Sequence, residues 1–125
     1  MKVKRLSSLA AFVGLLAVTG PVWAHHGEAN YDTTRIVSVK GTITDFVFVN
    51  PHVQISLEAK DDKGNVEKWM GEATSPNLLV REGWDKDTLK PGDVITVSGH
   101  QAKNGSRILR LMKIVMPDGR EFEHL

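Results

Sequence analysis

Four apolar residues at alternating positions, Val53, Ile55, Leu57 and Ala59, constrain this chain more than any other stretch. Gln54, Ser56 and Glu58 fall between them. A period of two turns every second side chain to the same face, so this is a half-buried strand with one inside face. Asp61-Asp62-Lys63-Gly64-Asn65 reads as a hairpin turn, and Val66 to Ala73 as the returning strand. Upstream, Ile36 to Val49 is rich in β-branched and aromatic residues. There Val37, Val39 and Ile43 share one parity while Phe46 and Phe48 take the other. One flat strand cannot change faces, so a bulge or strong bend is predicted between Gly41 and Asp45. Asn50-Pro51 then breaks the strand.

After the hairpin, Ser75 is a predicted helix N-cap with Pro76 in the first helical position. Leu78, Leu79 and Val80 supply the apolar side of this short helix, and Gly83 ends it. Leu89-Lys90-Pro91-Gly92-Asp93 is a tight turn into a fourth strand, Val94 to Gly99, with Ile95 and Val97 inside. A further turn, Ala102 to Ser106, leads to a fifth strand, Ile108 to Met116, which is apolar on both parities, as in a strand covered on both sides. Pro117-Asp118-Gly119-Arg120 turns the chain before a short tail. Strand, strand, strand, short helix, strand, strand is the order of an all-β, five-stranded OB-like barrel. A small β-roll or sandwich fits the same order.

The chain opens with Lys2, Lys4 and Arg5, an apolar stretch from Leu9 to Val18, and Val22-Trp23-Ala24 at the positions a signal peptidase reads. Residues 1–24 are therefore read as a signal peptide, 25–33 as a polar N-terminal arm and 34–125 as the barrel domain. Removing the three leading basic residues from a chain with 16 basic and 15 acidic ones turns the formal charge from +1 to −2. An exported domain of that charge has no electrostatic case for nucleic acid, and none is expected as a partner. The apolar stretch is too short for a spanning helix, so no membrane insertion is expected after cleavage. The predicted location is the periplasm or the exterior. There is no cysteine, so disulfides and thiolate chemistry are excluded. A metal would be held by His, Asp, Glu, Met, an amine or backbone oxygen.

Several short patterns follow one another in order: Ala24-His25-His26, Asn50-Pro51-His52, Trp69 followed by Glu72, Ser75-Pro76-Asn77, Gly83-Trp84, Leu89-Lys90-Pro91-Gly92-Asp93, Gly105-Ser106 and Pro117-Asp118-Gly119-Arg120. Each alone is ordinary turn chemistry. Together they resemble a family of small secreted bacterial proteins of unknown function. The resemblance implies one compact export domain and carries no activity. Gly27-Glu28 departs from the aromatic or small apolar residue expected soon after His26.

Cutting after Ala24 would make His25 the first residue, with a free amine and an imidazole that close one chelate ring on a transition metal. His26 or His52 would add another nitrogen, and nitrogen donors favour copper. His52 shares the parity of Gln54 and Ser56, so its ring is expected to leave the core side. A cut one residue earlier would instead place histidine third, a different copper and nickel motif. Asn50, Trp69, Glu72, Asn77 and Trp84 form a second candidate set, a pocket for a small ligand against an aromatic wall. Met112 and Met116 share a parity and read as core, while His100 and His124 have no evident partner. No catalytic motif is present. The sequence therefore predicts an exported binding protein, not an enzyme, holding copper through His25, His26 and His52. A non-metal module binding a small ligand or a periplasmic protein is the alternative, and a copper histidine-brace oxidative enzyme a third reading.

Overall fold

The structure, a computed structural model, describes residues 26–125, with only the backbone of His26. The expected signal peptide and His25 lie outside the described residues. A short helix α1 (His26–Ala29) is followed by β1 (Val37–Val47), β2 (Gln54–Lys60), β3 (Val66–Glu72), helix α2 (Pro76–Leu79), β4 (Val94–Gln101), β5 (Ile108–Val115) and β6 (Glu121–Glu123).

The long first strand is what closes the barrel. Its first half pairs antiparallel with β4, from Val37–Gly99 to Thr42–Val94. Its second half pairs antiparallel with β2, from Thr42–Glu58 to Val47–Gln54. The register jumps from Ile43–Leu57 to Asp45–Ser56, leaving Thr44 as the bulge residue. One extra residue flips the parity. Val39 and Ile43 therefore point inward before the bulge, and Phe46 packs on the core after it. β2 and β3 form the expected hairpin, and β5 pairs with both β4 and, in parallel, β3. The strand circuit β1-β2-β3-β5-β4-β1 is a closed five-stranded OB barrel. β6 adds to β5 outside it, so the tail after Gly119 is a sixth, short strand.

Ile43, Ile55, Leu57, Ile95, Leu109 and Leu111 fill the interior, each at most 1% exposed. One end of the barrel is closed by Trp84, 2% exposed. Its ring lies edge-on to Phe122 at 5.2 Å and tilted against Phe46 at 6.3 Å. Such aromatic pairs add to area burial through their quadrupoles.

Three sequence expectations change. α2 is a single turn continued by a 3-10 turn over Val80–Glu82, and it buries only Pro76 and Leu79; Leu78 and Val80 face solvent at 48% and 57% exposure. One turn has room for one inward side chain besides its first residue. Ser75 caps through its carbonyl, which accepts from Leu78 N and Leu79 N, and not through its hydroxyl. β5 is not covered on both sides: its register jumps from Leu111–Gly99 to Lys113–Ser98. That bulge, at Met112, changes parity midway, so Leu109, Leu111, Ile114 and Met116 all turn inward while Met112 is 40% exposed. The two methionines thus part company, Met116 in the core and Met112 on the surface.

Candidate functional site

The arm ahead of β1 is laid along the loop between β4 and β5. Tyr31 bridges to Ala102, Asp32 N donates to Gln101 O at 2.8 Å, and Lys103 N donates to Asn30 O at 2.8 Å. Backbone pairing of this kind is independent of side chain, so the polar arm docks without an apolar anchor after His26. A turn then leads to β1. It is held by Asp32, whose carboxylate accepts from Thr34 N and Thr34 Oγ1 at 3.0 and 2.5 Å and pairs with Arg35 at 3.3 Å. The Thr34 bonds hold the Asp32 carboxyl below the usual carboxylate range.

Docking carries the Tyr31 ring across β5 to Glu72, where its hydroxyl donates to Oε2 at 3.4 Å. Burial, then the Glu72 charge and the hydrogen bond to it, push the phenol above its ordinary value of 10.0; Arg110 pulls the other way. Arg110 is the parallel partner of Glu72, and its Nη1 donates to Glu72 O at 3.2 Å. The other carboxylate oxygen, Oε1, lies 3.0 Å from His52 Nδ1.

His52 sits just before β2 and, as its parity indicated, leaves the core: its side chain is 41% exposed against 26% for Glu72. Nδ1 is also 3.1 Å from Ala73 O. A carbonyl oxygen can only accept, so Nδ1 is the nitrogen that carries hydrogen. In the neutral ring that leaves the Nε2 lone pair free. A histidine whose second nitrogen donates to a carboxylate or a carbonyl is the arrangement that orients metal-binding imidazoles.

Glu72 also lines a groove of about 560 Å³ between the arm and the β4–β5 loop, with Gly27, Tyr31, Lys103, Asn104 and Ser106 among its walls. Ser106 Oγ is buried there without a hydrogen-bond partner among the described residues. No three His, Asp or Glu side chains converge as a metal cage among the described residues.

The sequence candidates separate accordingly. His52 and Glu72 meet. His26 contributes the first backbone position of α1, and His25 lies outside the described residues. Asn50 is exposed in the β1–β2 loop and Asn77 is exposed on α2. Trp84 cannot wall a pocket with them, because it is packed inside the barrel end. Trp69 lines a separate cleft. Tyr31, Arg110 and the β4–β5 loop join the site without having been singled out as site residues. His100 does have a partner: its Nδ1 is 3.0 Å from Arg35 O. Among the described residues no helix is long and apolar enough to cross a membrane.

Residues 11–109 match a family described as "Family of unknown function (DUF6152)". No curated protein matches the chain. Among solved structures, the barrel is similar to the mitochondrial single-stranded DNA binding protein Rim1 of S. cerevisiae. That match has a TM-score of 0.49 and 12% identity, over 73% of this chain and 96% of that one. It is also similar to a small single-stranded DNA-binding protein from Streptomyces coelicolor, with a TM-score of 0.48 and 16% identity, over 66% of this chain and 91% of that one. Neither carries the name of an enzyme, and the description of the family names no activity. Both neighbours bear the names of single-stranded DNA-binding proteins, and the exclusion of nucleic acid made above from net charge alone is withdrawn. Single strands are held by local grooves and by stacking on aromatic side chains, which a whole-chain charge does not report.

Proposed function

This chain belongs to DUF6152, a family of unknown function, and from that starting point we propose that it is an exported metal-binding module in which His52 holds copper together with His25. The observation that carries this reading is the fixed His52 ring. Ala73 O at 3.1 Å and Glu72 Oε1 at 3.0 Å both engage Nδ1, which leaves Nε2 as the donor. Glu72 is then a positioning residue behind the ligand.

The remaining donors would come from the new N-terminus left by cleavage after Ala24. Gly27 already lines the groove that Glu72 lines. His25 is two residues before it, and two peptide units span at most about 7.6 Å. The α-amine has an ordinary pKa of about 7.7–8.0, so a usable fraction is unprotonated near neutral pH. Amine, His25 imidazole and His52 Nε2 make a three-nitrogen set, which suits Cu(II). His26 is a further nitrogen on the same arm. The bound ion is cargo, buffered or carried in the periplasm.

A ligand that binds only the folded form raises stability. Titrating Cu(II) into the mature chain that begins at His25 should give one copper per chain, a visible absorption band and a higher Tm. His25→Ala and His52→Ala should each weaken binding strongly, His52→Ala keeping only the amine and ring of His25. No change in absorption or Tm, or wild-type binding by His52→Ala, would overturn the proposal. Peroxide release by the copper-loaded protein with ascorbate would mark the oxidative-enzyme alternative instead.

A further inference from the structure

Tyr31 lines two concavities, the groove it shares with Glu72 and a separate pocket of about 280 Å³. The second is built on the outer face of β4 and β5. His100 and Arg110 are register partners there, and both turn outward while Val97, Leu109 and Leu111 turn inward. Arg110 leans toward β3, where its Nη1 donates to Glu72 O at 3.2 Å. His100 leans the opposite way, with Nδ1 3.0 Å from Arg35 O just ahead of β1. β3 and β1 flank the β5–β4 pair on opposite sides. The two side chains therefore splay apart, and both line the pocket.

Arg110 is a half-buried cation without a counter-charge. Arg35, Arg107 and Arg120 each pair with a carboxylate, whereas Arg110 forms no ion pair among the described residues. Glu72, its strand partner, directs its two carboxylate oxygens to His52 and Tyr31. A charge drawn out of water is stable when it is paired. A guanidinium fork matches the two oxygens of a carboxylate, and only Nη1 is engaged, by Glu72 O. Acceptors stand in the same pocket. Glu28 brings an exposed carboxylate from the arm. In the neutral His100 ring, Nδ1 carries the hydrogen that Arg35 O accepts, so Nε2 keeps its lone pair. Leu111, Met112 and Leu125 supply apolar walls.

Ligand pockets usually run from about 300 to 1,000 Å³, so this one has room for a single small molecule and none for a polymer. We propose that it binds a free α-amino acid with an apolar side chain. Its carboxylate sits on Arg110, its ammonium between Glu28 and His100 Nε2, and its side chain against Met112 and Leu125. A simple fatty acid would satisfy Arg110 but leave Glu28 without a cation. A soft metal ion would suit Met112 and His100, but the Arg110 guanidinium in the same pocket repels it. The inference stands apart from copper binding, since it uses neither His25 nor His52.

The test is isothermal titration calorimetry of the mature, metal-free chain with leucine, methionine and phenylalanine. Each is compared with its analogues lacking the amine or the carboxylate, which for leucine are 4-methylpentanoate and 3-methylbutylamine. The expected result is saturable binding of at least one amino acid, one per chain, retained by His52→Ala. Each analogue should bind about tenfold more weakly or worse, the loss expected for hydrogen bonds between charged groups. Arg110→Gln should weaken the amino acid by a similar factor, with a circular dichroism spectrum like the wild type. Glu28→Gln changes an exposed arm residue and leaves the barrel untouched. It should weaken the amino acid and spare the analogue without an amine. No saturable binding of any of the three amino acids would overturn the proposal. So would an analogue without an amine that binds as tightly as its amino acid, or amino-acid binding untouched by Arg110→Gln or by Glu28→Gln.

Discussion

Adding one methyl group at Gly99 should cost more stability than the same change at any other barrel glycine. A Cβ there would run into the backbone of β5, against Arg110 O, with Arg110 C at 2.8 Å and Leu111 Cα at 3.0 Å. None of these atoms can rotate away, because Gly99 and Leu111 are register partners in the β4–β5 seam. Relief requires the two strands to part. At Gly41 the Cβ would meet Glu58 O at 2.6 Å and Leu57 Cδ1 at 2.7 Å, one backbone and one side-chain atom. At Gly71 all three nearest atoms, at 2.7 to 2.9 Å, belong to the Leu111 side chain. Overpacking a core costs about 1–3 kcal/mol and sometimes more. Gly99→Ala belongs at or above the top of that range, Gly71→Ala near its lower end, and Gly41→Ala between them. For a domain of this size each kcal/mol moves Tm by about 4–8 °C, so Gly99→Ala should lower it by about 12 °C or more. Urea unfolding followed by far-UV circular dichroism gives the ranking from midpoints at constant m. Gly71→Ala as the worst of the three, or Gly99→Ala within about 1 kcal/mol of wild type, would refute the close strand approach. The seam matters for function because the arm is pinned to the end of β4, through Gln101 O.

Glu72→Gln should keep the fold but weaken copper binding about tenfold or more, the usual cost of losing an outer partner of a metal-bound histidine; competition with a chromophoric chelator measures it. Tyr31 is the only tyrosine, so absorbance near 295 nm titrates it alone: it should ionise above 10.0, and Glu72→Gln should lower that value while leaving the part due to burial. Since the folded phenol keeps its proton where the unfolded one has lost it, stability should fall as pH rises above about 10, and Tyr31→Phe should remove that slope. Trp84→Ala should cost about 3–5 kcal/mol in urea unfolding. Trp84→Phe should cost far less, since it also removes the buried Nε1 that has no partner among the described residues.

Period and punctuation made most of the barrel legible. The alternation from Val53 to Ala59 matches the buried positions of β2, and the switch from Ile43 to Phe46 located a bulge that pairing places at Thr44. The same reasoning misread β5. A mid-strand bulge and two-sided burial both yield apolar residues on both parities, and only the register with β4 tells them apart. The His52–Glu72 pair was partly readable. The hairpin fixes Gln54 opposite Glu72, so His52, two residues earlier, falls diagonal to Glu72 on the same face. Tyr31 was not readable as a site residue. Its place depends on backbone bonds between the arm and the β4–β5 loop, and such bonds leave no mark on side-chain pattern. Trp84 failed as a ligand wall for the opposite reason: a tryptophan after a glycine turn looks alike whether it faces a cleft or plugs a core.

The most direct test of the metal reading is electron paramagnetic resonance of the mature chain loaded with one equivalent of Cu(II). Nitrogen superhyperfine structure from three donors is expected, falling to two in His52→Ala while the His25 amine and ring remain. A spectrum identical in wild type and His52→Ala would mean that His52 does not hold the ion, and the oriented ring beside Glu72 would then need another explanation.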